Sequence, residues 1–163
     1  MRESGLRLNA ASAEAMRAVG ARLAGALCDA GLVAPLVLGR SGELGAGKTT
    51  LVGGLLAALG HAGPARSPTY SLIEPYRLAG RDLYHCDLYR LRDPSELDDL
   101  GLRDLLVGPC VLLVEWPERA GGRLREPDLE VHIEYAAEGR SLTLTAGSEA
   151  GRSLLARLGL DPA

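Results

Sequence analysis

The sequence of 163 residues contains no phenylalanine, no glutamine, one asparagine and one lysine. Aromatic residues make up only 4%, so a hydrophobic core must be built mainly from Leu, Val and Ala. No apolar run approaches the ~20 residues that a membrane-spanning helix needs. The first ten residues also lack the charged-then-apolar pattern of a signal peptide. We therefore expect a cytoplasmic protein without membrane association.

Cysteine is also scarce, and the charge balance is slightly acidic. Cys28, Cys86 and Cys110 are far apart and show no metal-ligand spacing, which is typical of reduced thiols in a cytoplasm. The formal net charge is −3, whereas a protein that binds nucleic acid by itself usually presents a basic face. If RNA is involved, we expect it to be held by a partner.

The length and the hydrophobic share of 47% fit one compact domain spanning residues 1–163. Apolar periodicity predicts a helix at 12–30, with Ser12 as N-cap and Gly31 as C-cap, and a second helix that ends at Gly60. Asp93 and Glu96 form a capping box for a helix through the segment DPSELDDLGLRDLL. A further helix is predicted at 148–159.

Strands are predicted for PLVLG at 35–39 and for CVLLVEW at 110–116. Alternating patterns predict two hairpins, one turning at Ala79 and Gly80 and the other at Glu138 and Gly139. The predicted fold class is therefore α/β, with three layers around a mixed, partly antiparallel central sheet.

A glycine-rich segment, GELGAGKTT at residues 42–50, matches the P-loop pattern G-x-x-x-x-G-K-[ST] in full. Its glycines let the backbone fold into a nest of N–H groups around phosphate oxygens. The following helix points its positive end at the same anion. We therefore expect nucleotide contacts from Gly42, Glu43, Leu44, Gly45, Ala46, Gly47, Lys48, Thr49 and Thr50.

Lys48 is the only lysine in a chain that otherwise uses arginine. A compact ammonium on a flexible stem can reach the β- and γ-phosphates through a narrow loop, whereas a guanidinium is broader and spreads its charge. Thr49 offers a hydroxyl to Mg²⁺. Thr50 is expected to cap or pack rather than to bind the metal.

Glu115 ends the apolar run VLLVE, which is the Walker B pattern. A carboxylate in that place lies beside the phosphate loop and holds Mg²⁺ directly or through water. Many strands simply end in a solvated acid. The P-loop earlier in the chain favours the metal-binding interpretation for Glu115.

Asp87, in YHCDLYR, faces away from Cys86 and Leu88 if the strand alternates. Two interpretations are open. Asp87 is either a second acid that supports the metal or orients the attacking water, or a surface acid paired with Arg90 or Arg92.

Two further features have both a functional and an ordinary explanation. The segment RSPTYS at 66–71 suits a switch loop over a γ-phosphate, with Ser67 and Thr69 contacting nucleotide, but it is also an ordinary turn pattern. Trp116 is either a core or rim aromatic or a neighbour of the nucleotide. The three histidines share no ligand spacing and are expected to be structural.

The missing amide residues exclude two kinds of site. Without a second asparagine, the N-K-x-D motif by which GTPases read guanine cannot be present, because Asn9 is not followed by lysine. Without glutamine, a Ras-like catalytic glutamine is also excluded. ATP is therefore the expected nucleotide, with slow hydrolysis unless an acid or a partner positions the water.

Five segments occur in the order and spacing of one family: GELGAGKTT, SPTYSLIEPY, YHCDLYRL, ELDDLGLRDLL and LLVEWPE. On these, the chain resembles the TsaE (YjeE) family, small bacterial ATPases needed for threonylcarbamoyladenosine (t6A) in tRNA. The resemblance covers nearly the whole chain. Arg40 and Ser41 depart from it, since an apolar or aromatic residue is common there.

The resemblance implies a P-loop fold that binds ATP and Mg²⁺ and acts with TsaB and TsaD. Those two proteins transfer the threonylcarbamoyl group, while the ATP cycle of the family resets the complex, so tRNA is contacted only indirectly. It also implies Lys48, Asp87 and Glu115 as catalytic residues, Thr49 and Glu115 as Mg²⁺ ligands, Ser67 and Thr69 in a switch segment, and Trp116 at the nucleotide.

Two alternatives remain at this point. A small P-loop kinase for a free metabolite needs an arginine-bearing lid, which PERAGGRLRE at 117–126 imitates through Arg119, Arg123 and Arg125. The other alternative is a nucleotide-gated interaction module without meaningful hydrolysis, against which Asp87 and Glu115 argue.

Overall fold

A computed structural model describes residues 5–29, 35–42, 47–63 and 73–160 of the chain. These residues form a seven-stranded sheet in the order β1-β7-β6-β2-β5-β4-β3. The strands are β1 Gly5–Ala10, β2 Pro35–Gly42, β3 Ile73–Leu78, β4 Arg81–Asp87, β5 Cys110–Glu115, β6 Leu129–Tyr135 and β7 Arg140–Ala146.

The sheet is mixed, as the sequence predicts. The central strand β2 is parallel to both of its neighbours, β5 and β6, and β5 is parallel to β4. The outer pairs β1–β7, β6–β7 and β3–β4 are antiparallel. Both predicted hairpins are present, and Ala79, Gly80 and Gly139 adopt positive φ in their turns. The strand β1 is an addition that the sequence analysis did not predict.

Helices cover both faces of the sheet and give the three predicted layers. They are α1 Ala13–Asp29, α2 Lys48–Ala58, α3 Glu96–Asp99, α4 Leu102–Leu105 and α5 Glu149–Leu160. Leucines of α1, α2 and α5 share one core cluster with alternate residues of the strands. Leu97 of α3, Leu102 of α4 and Ala120 of a 3₁₀ turn at Pro117–Ala120 join a second cluster on the opposite face.

The first two helices confirm their predicted ends where the structure describes them. The Ser12 hydroxyl caps α1 by accepting the Ala15 N–H at 3.1 Å, while Gly31 lies outside the described residues. Helix α2 ends at Ala58, and the predicted terminating glycine, Gly60, follows the Leu59 C-cap with φ +101°. The His61 N–H then donates to the Leu56 carbonyl at 2.9 Å, a bond that satisfies a carbonyl at the end of the helix.

The single helix predicted after Asp93 is wrong in its length. The capping box is formed, because the Asp93 N–H donates to Glu96 Oε1 at 3.1 Å and Asp93 Oδ1 accepts the Ser95 N–H at 2.8 Å. The helix then breaks at Gly101, whose φ of +69° is left-handed. The break separates α3 from α4 and lets Leu97 and Leu102 enter the same core cluster.

The parallel strands place the carboxyl ends of β2, β4 and β5 at one edge of the sheet. Arg40 pairs with Glu115 across β2 and β5, and Asp87 pairs with Glu115 across β4 and β5. Helix α2 begins at the same edge, at Lys48 within the glycine-rich segment. Within the described ranges, no helix combines the length and apolar character required to cross a bilayer.

Candidate nucleotide site

Strand alternation directs four polar side chains to one point. Leu36 and Leu38 of β2, Leu83 of β4, and Val111 and Leu113 of β5 belong to the core cluster beneath α1 and α2. The next residues of the same parity at the ends of those strands are therefore on the same face. They are Arg40, His85, Asp87 and Glu115.

The ends of the glycine-rich segment have the backbone that only glycine adopts readily. Gly42 has φ +141° and Gly47 has φ +107°. A Cβ on Gly42 would lie 2.5 Å from the Ile133 carbonyl oxygen, and one on Gly47 would lie 3.2 Å from Met16 Cε. Both positions therefore favour glycine for steric as well as conformational reasons. The predicted contacts Glu43, Leu44, Gly45 and Ala46 lie outside the described residues.

Lys48 opens α2 and is only 8% exposed. Its Nζ donates to the Gly42 carbonyl at 2.8 Å and lies 4.2 Å from the ring centroid of Trp116. Burial lowers the pKa of Lys48, while Glu115 opposes the shift. The ammonium is thus held between the end of β2 and the residue that follows β5. In the same turn Thr49 is exposed, and Thr50 is half-buried.

Glu115 is a buried carboxylate, 4% exposed, at the end of β5. Its Oε1 lies 3.5 Å from Nη2 of Arg40, and its Oε2 lies 3.3 Å from Nε2 of His85. Burial alone would raise the pKa of Glu115. The hydrogen bond with His85 and the charges of Arg40 and Lys48 outweigh burial and lower the pKa to about 2. The group is therefore a carboxylate throughout the physiological range.

Asp87 lies beside Glu115, but its pKa is shifted in the opposite direction. Burial raises its pKa, and the neighbouring Glu115 adds to the rise, while the Tyr89 N–H opposes it by donating to Asp87 Oδ1 at 3.0 Å. Within the described part of the chain, no ion pair joins Asp87 to Arg90 or Arg92, the surface arrangement that the sequence left open.

Trp116 is both a packing residue and a neighbour of the site. It belongs to the rim of the second core cluster, and its indole lies 5.5 Å from the Tyr89 ring as well as over the Lys48 ammonium. Its backbone is left-handed, with φ +61° and ψ +52°, and its N–H donates to the Arg40 carbonyl at 3.1 Å. A non-glycine residue in this conformation costs energy and is characteristic of functional sites.

Sequence reasoning missed two members of this cluster. Arg40 was noted only as a departure from the family pattern, and His85 was predicted to be structural, yet both contact Glu115. Alternation supplied a usable signal, because His85 shares a strand face with Asp87. A charged residue at the end of the apolar strand PLVLG was the corresponding signal for Arg40.

The remaining predicted contacts divide into two groups. Ser67 and Thr69 lie outside the described residues. Of the three arginines that resemble a kinase lid, Arg123 pairs with Asp98 and Arg125 with Asp128, so both are engaged elsewhere. Only Arg119 approaches the cluster, with its guanidinium carbon 5.8 Å from the Trp116 ring. No specific observation therefore favours the kinase alternative.

A cleft of about 180 Å³ adjoins the start of α2. The loop before α1, the α2 start and the second hairpin turn supply its walls. It is lined by Ala10, Ala11, Ser12, Ala13, Met16, Gly47, Thr50, Gly139 and Arg140. Most of these side chains are small, and Thr50 is one of them.

Comparison with known proteins places the chain among a set of bacterial relatives. The family described as "Threonylcarbamoyl adenosine biosynthesis protein TsaE" matches residues 10–142. The tRNA threonylcarbamoyladenosine biosynthesis protein TsaE of Haemophilus influenzae is 45% identical over 115 residues, covering 71% of this chain and 73% of that protein. The protein of the same name from Streptomyces coelicolor is 39% identical over 142 residues, covering 82% and 92%.

A solved structure is similar over the full length. The crystal structure of YdiB from Bacillus subtilis has a TM-score of 0.79 and 28% sequence identity, and the match covers 98% of this chain and 97% of that one. The fold, including the mixed sheet, is therefore shared with a characterised architecture.

Proposed function

Because the chain belongs to the TsaE family, we propose that it is a Mg²⁺-dependent ATPase of tRNA threonylcarbamoyladenosine biosynthesis. It binds ATP, hydrolyses it slowly, and acts with TsaB and TsaD to support their turnover in the cytoplasm. It does not itself transfer the threonylcarbamoyl group, and it meets tRNA only through the complex. Relatives that carry the biosynthetic name support the pathway, and the site supports the chemistry.

One observation carries the proposal. Lys48, Asp87 and Glu115 come from three segments that are separate in sequence, yet the fold brings them to one edge of the sheet. Their charges interact, since both acids raise the pKa of Lys48 against its burial. A buried cation and two acids beside a helix N-terminus are the groups that phosphoryl transfer needs.

The residues present fit a nucleotide with Mg²⁺. Within the described residues, no three His, Cys, Asp or Glu side chains form a metal site on their own. Mg²⁺ is commonly bound through one or two carboxylates together with substrate phosphates, so one carboxylate and one hydroxyl suffice. Thr49 and Glu115 would hold the ion, which when bound neutralises charge that develops on the phosphates.

The charge states of Lys48, Asp87 and Glu115 suit three different roles. Lys48 binds the β- and γ-phosphates through its ammonium, which is already positioned at Gly42. Asp87 orients a water molecule and accepts its proton at a carboxylate oxygen, and a raised pKa makes it a better base than an ordinary aspartate. Glu115, with a lowered pKa, stays charged and serves the metal.

The cleft beside Gly47 and Thr50 provides room for the nucleoside part of ATP. Met16 offers a polarizable surface against which an aromatic base can pack. This arrangement supports a nucleotide ligand rather than a free phosphate.

Phosphate release from ATP with Mg²⁺ tests the proposal. The protein alone is compared with the protein plus a TsaB–TsaD pair, and Lys48→Ala serves as the blank. We expect slow release that rises with the pair and disappears in the blank. Release that ignores the pair would contradict the proposed role in modification. Absence of release in every sample, with nucleotide still bound, would leave only a nucleotide-gated interaction module.

A further inference from the structure

Arg40 is a buried cation for which the proposed mechanism has no use. It follows the apolar run of β2 directly and is only 2% exposed, although it carries a charge. Removing a guanidinium from water is costly unless opposite charge and hydrogen bonds compensate. Its contacts therefore indicate what the residue is for.

The two terminal nitrogens of Arg40 connect different parts of the site. Nη1 donates to the Lys48 carbonyl at 2.6 Å, in the first turn of α2. Nη2 lies 3.5 Å from Glu115 Oε1, at the end of β5, and 3.1 Å from His85 Nε2. The main chain adds a fourth connection, since the Arg40 carbonyl accepts the Trp116 N–H.

Two buried nitrogen atoms beside these contacts have no hydrogen-bond partner of their own. Nε of Arg40 and Nδ1 of His85 are buried and have no hydrogen-bond partner within the described part of the chain. Buried polar atoms are nearly always paired in native proteins. Because Nε of Arg40 is unpaired, the position of the guanidinium is set by the two elements that its terminal nitrogens contact, α2 and β5.

Those two elements carry the proposed metal ligands. Thr49 follows the Lys48 carbonyl that Arg40 holds, and Glu115 is the carboxylate that Arg40 holds. We propose that Arg40 is a positioning residue, whose planar fork fixes the first turn of α2 against Glu115 so that one divalent cation reaches both ligands. This inference rests on the proposed function, because the cation is the one that accompanies the nucleotide.

A lysine at position 40 cannot perform this role. Its single ammonium presents three donors at one point, whereas the guanidinium presents separated donors in a rigid plane. Arg40→Lys therefore keeps the buried charge but loses one of the two connections. Arg40→Met removes the charge as well. If the loss of charge prevents Arg40→Met from folding, Arg40→Lys is the variant that decides.

The experiment measures the binding of Mn²⁺, used in place of Mg²⁺, to the complex of the protein with ADP. Electron paramagnetic resonance gives the Kd. ADP affinity without metal is measured separately by calorimetry in EDTA. Changes to residues that orient metal ligands typically weaken metal binding by about 10- to 100-fold, so we expect Arg40→Lys to raise the Mn²⁺ Kd about tenfold or more. ADP affinity in EDTA should change by less than about twofold, well below the effect on the metal, because Lys48 is untouched.

A double-mutant cycle with Thr49→Ala separates positioning from general destabilisation. If Arg40 acts by placing the first turn of α2, removing the Thr49 hydroxyl should cost much less Mn²⁺ affinity in the Arg40→Lys background than in the wild type. Arg125→Met is the matched control. It removes another arginine that pairs with a buried acid, Asp128, away from this cluster, and it should leave Mn²⁺ affinity unchanged.

Three results would overturn the inference. They are an unchanged Mn²⁺ Kd in Arg40→Lys, additive effects in the cycle, or an equal loss in Arg125→Met. Failure of the proposed function has a different signature, since the wild-type protein would then bind neither ADP in EDTA nor Mn²⁺ with ADP.

Discussion

At the scale of single residues, the site is defined by charges held away from water. Lys48 lies between the Gly42 carbonyl and the face of Trp116, a space that fits a small ammonium. Glu115 and Asp87 are neighbours with opposite pKa shifts. Two carboxylates whose environments separate their pKa values are suited to two different roles.

Lys48→Arg should weaken ATP binding although the charge is retained. A guanidinium is too broad for the space between Gly42 and Trp116, so the phosphates lose their central cation. We expect the Kd for ATP, measured by calorimetry, to rise by a factor of ten or more, or about 1.4 kcal/mol. Near-native affinity would mean that the loop does not select for ammonium. Trp116 fluorescence offers an independent readout, since it is the only tryptophan.

Glu115→Gln should retain nucleotide binding but lose hydrolysis, because the amide keeps the shape of the side chain and removes its charge. The expected fall in the rate of phosphate release is ~100-fold, corresponding to about 2.7 kcal/mol. Glu130→Gln is the matched control. Glu130 lies on β6, which is also parallel to β2, but it faces the side of the sheet opposite to Glu115. Full turnover in Glu115→Gln would remove this residue from the metal site.

The sequence indicated four residues that the fold brings to one edge of the sheet, but not the residues that contact Glu115 there. A contiguous motif identified Lys48 and Thr49, and strand ends identified Asp87 and Glu115. Arg40 and His85 were not identified, because their importance depends on burial beside Glu115, and a single sequence does not show which strands are neighbours. The roles of all these residues, the ATP and Mg²⁺ ligands, and the partners remain predictions.

At the scale of elements, helix α2 is held against α1 by unusually close packing. A Cβ on Gly20 of α1 would lie 2.2 Å from the Leu51 carbonyl oxygen of α2, and one on Gly54 of α2 would lie 2.2 Å from the Arg17 carbonyl oxygen. Glycine in a helix lowers helix propensity. The two helices instead use these glycines to bring their backbones together, which positions the start of α2.

Gly20→Ala should therefore destabilise the protein, and Gly25→Ala on the same helix should not. Overpacking against backbone costs about 1–3 kcal/mol or more. Gly25 has open space around its Cβ position, so alanine there should stabilise by about 0.5–1 kcal/mol. Unfolding in urea measures both. Equal effects of the two substitutions would show that helix propensity, and not the close approach, decides.

A second cross-connection ties β2 to the C-terminal half of the chain. Asp128 is 4% exposed, and its carboxylate accepts the Val37 N–H at 2.8 Å, the Ser148 hydroxyl at 2.7 Å and a two-point contact from Arg125. These bonds outweigh the opposing effect of burial and lower the pKa of Asp128. These contacts thus join the middle of β2 to the segment before β6 and to Ser148, which precedes α5.

Asp128→Ala should cost about 2–4 kcal/mol of the free energy of unfolding, because the Val37 N–H and the Ser148 hydroxyl lose their acceptor. Asp82→Ala is the comparison, since its pair with Arg77 is largely exposed and should contribute no more than about 1 kcal/mol. Thermal or urea unfolding distinguishes the two. A loss in Asp128→Ala no larger than in Asp82→Ala would contradict the structural role.

Local signals were reliable for the ends of elements and weaker for their continuity. The capping box at Asp93 was predicted correctly, whereas the helix after it divides at Gly101. The strand β1 was not predicted although Leu6 and Leu8 alternate with Arg7 and Asn9. Its partner β7 lies more than 130 residues away, and a six-residue pattern does not reveal such a distant pairing.

At the scale of the whole molecule, acid should unfold the protein through its buried carboxylates. The folded-state pKa values of Glu115 and Asp128 are lowered, so both groups stabilise the fold above their ordinary pKa values. That stability is lost as pH falls below the ordinary values of 4.5 for Glu115 and 3.8 for Asp128, and for Glu115 the loss continues down to a pKa of about 2. Asp87 has a raised pKa and acts in the opposite direction.

We therefore expect the free energy of unfolding, measured in urea, to decrease steadily from about pH 5 to pH 2, the range set by these shifts. The decrease should be smaller in Glu115→Gln, which has no carboxylate to protonate there. A flat profile in the wild type would show that the hydrogen bond with His85 and the charge of Arg40 do not stabilise the Glu115 carboxylate.

The pairing of β1 with β7 also determines when this protein can finish folding. Residues 5–10 are translated before their partners at 140–145, which follow 130 to 140 residues later. At ~5–20 residues per second, the first strand waits about 7–27 s for its place in the sheet. The phosphate loop emerges early as well. During translation the nascent chain therefore carries its P-loop motif on an incomplete sheet until the β6–β7 hairpin completes that sheet.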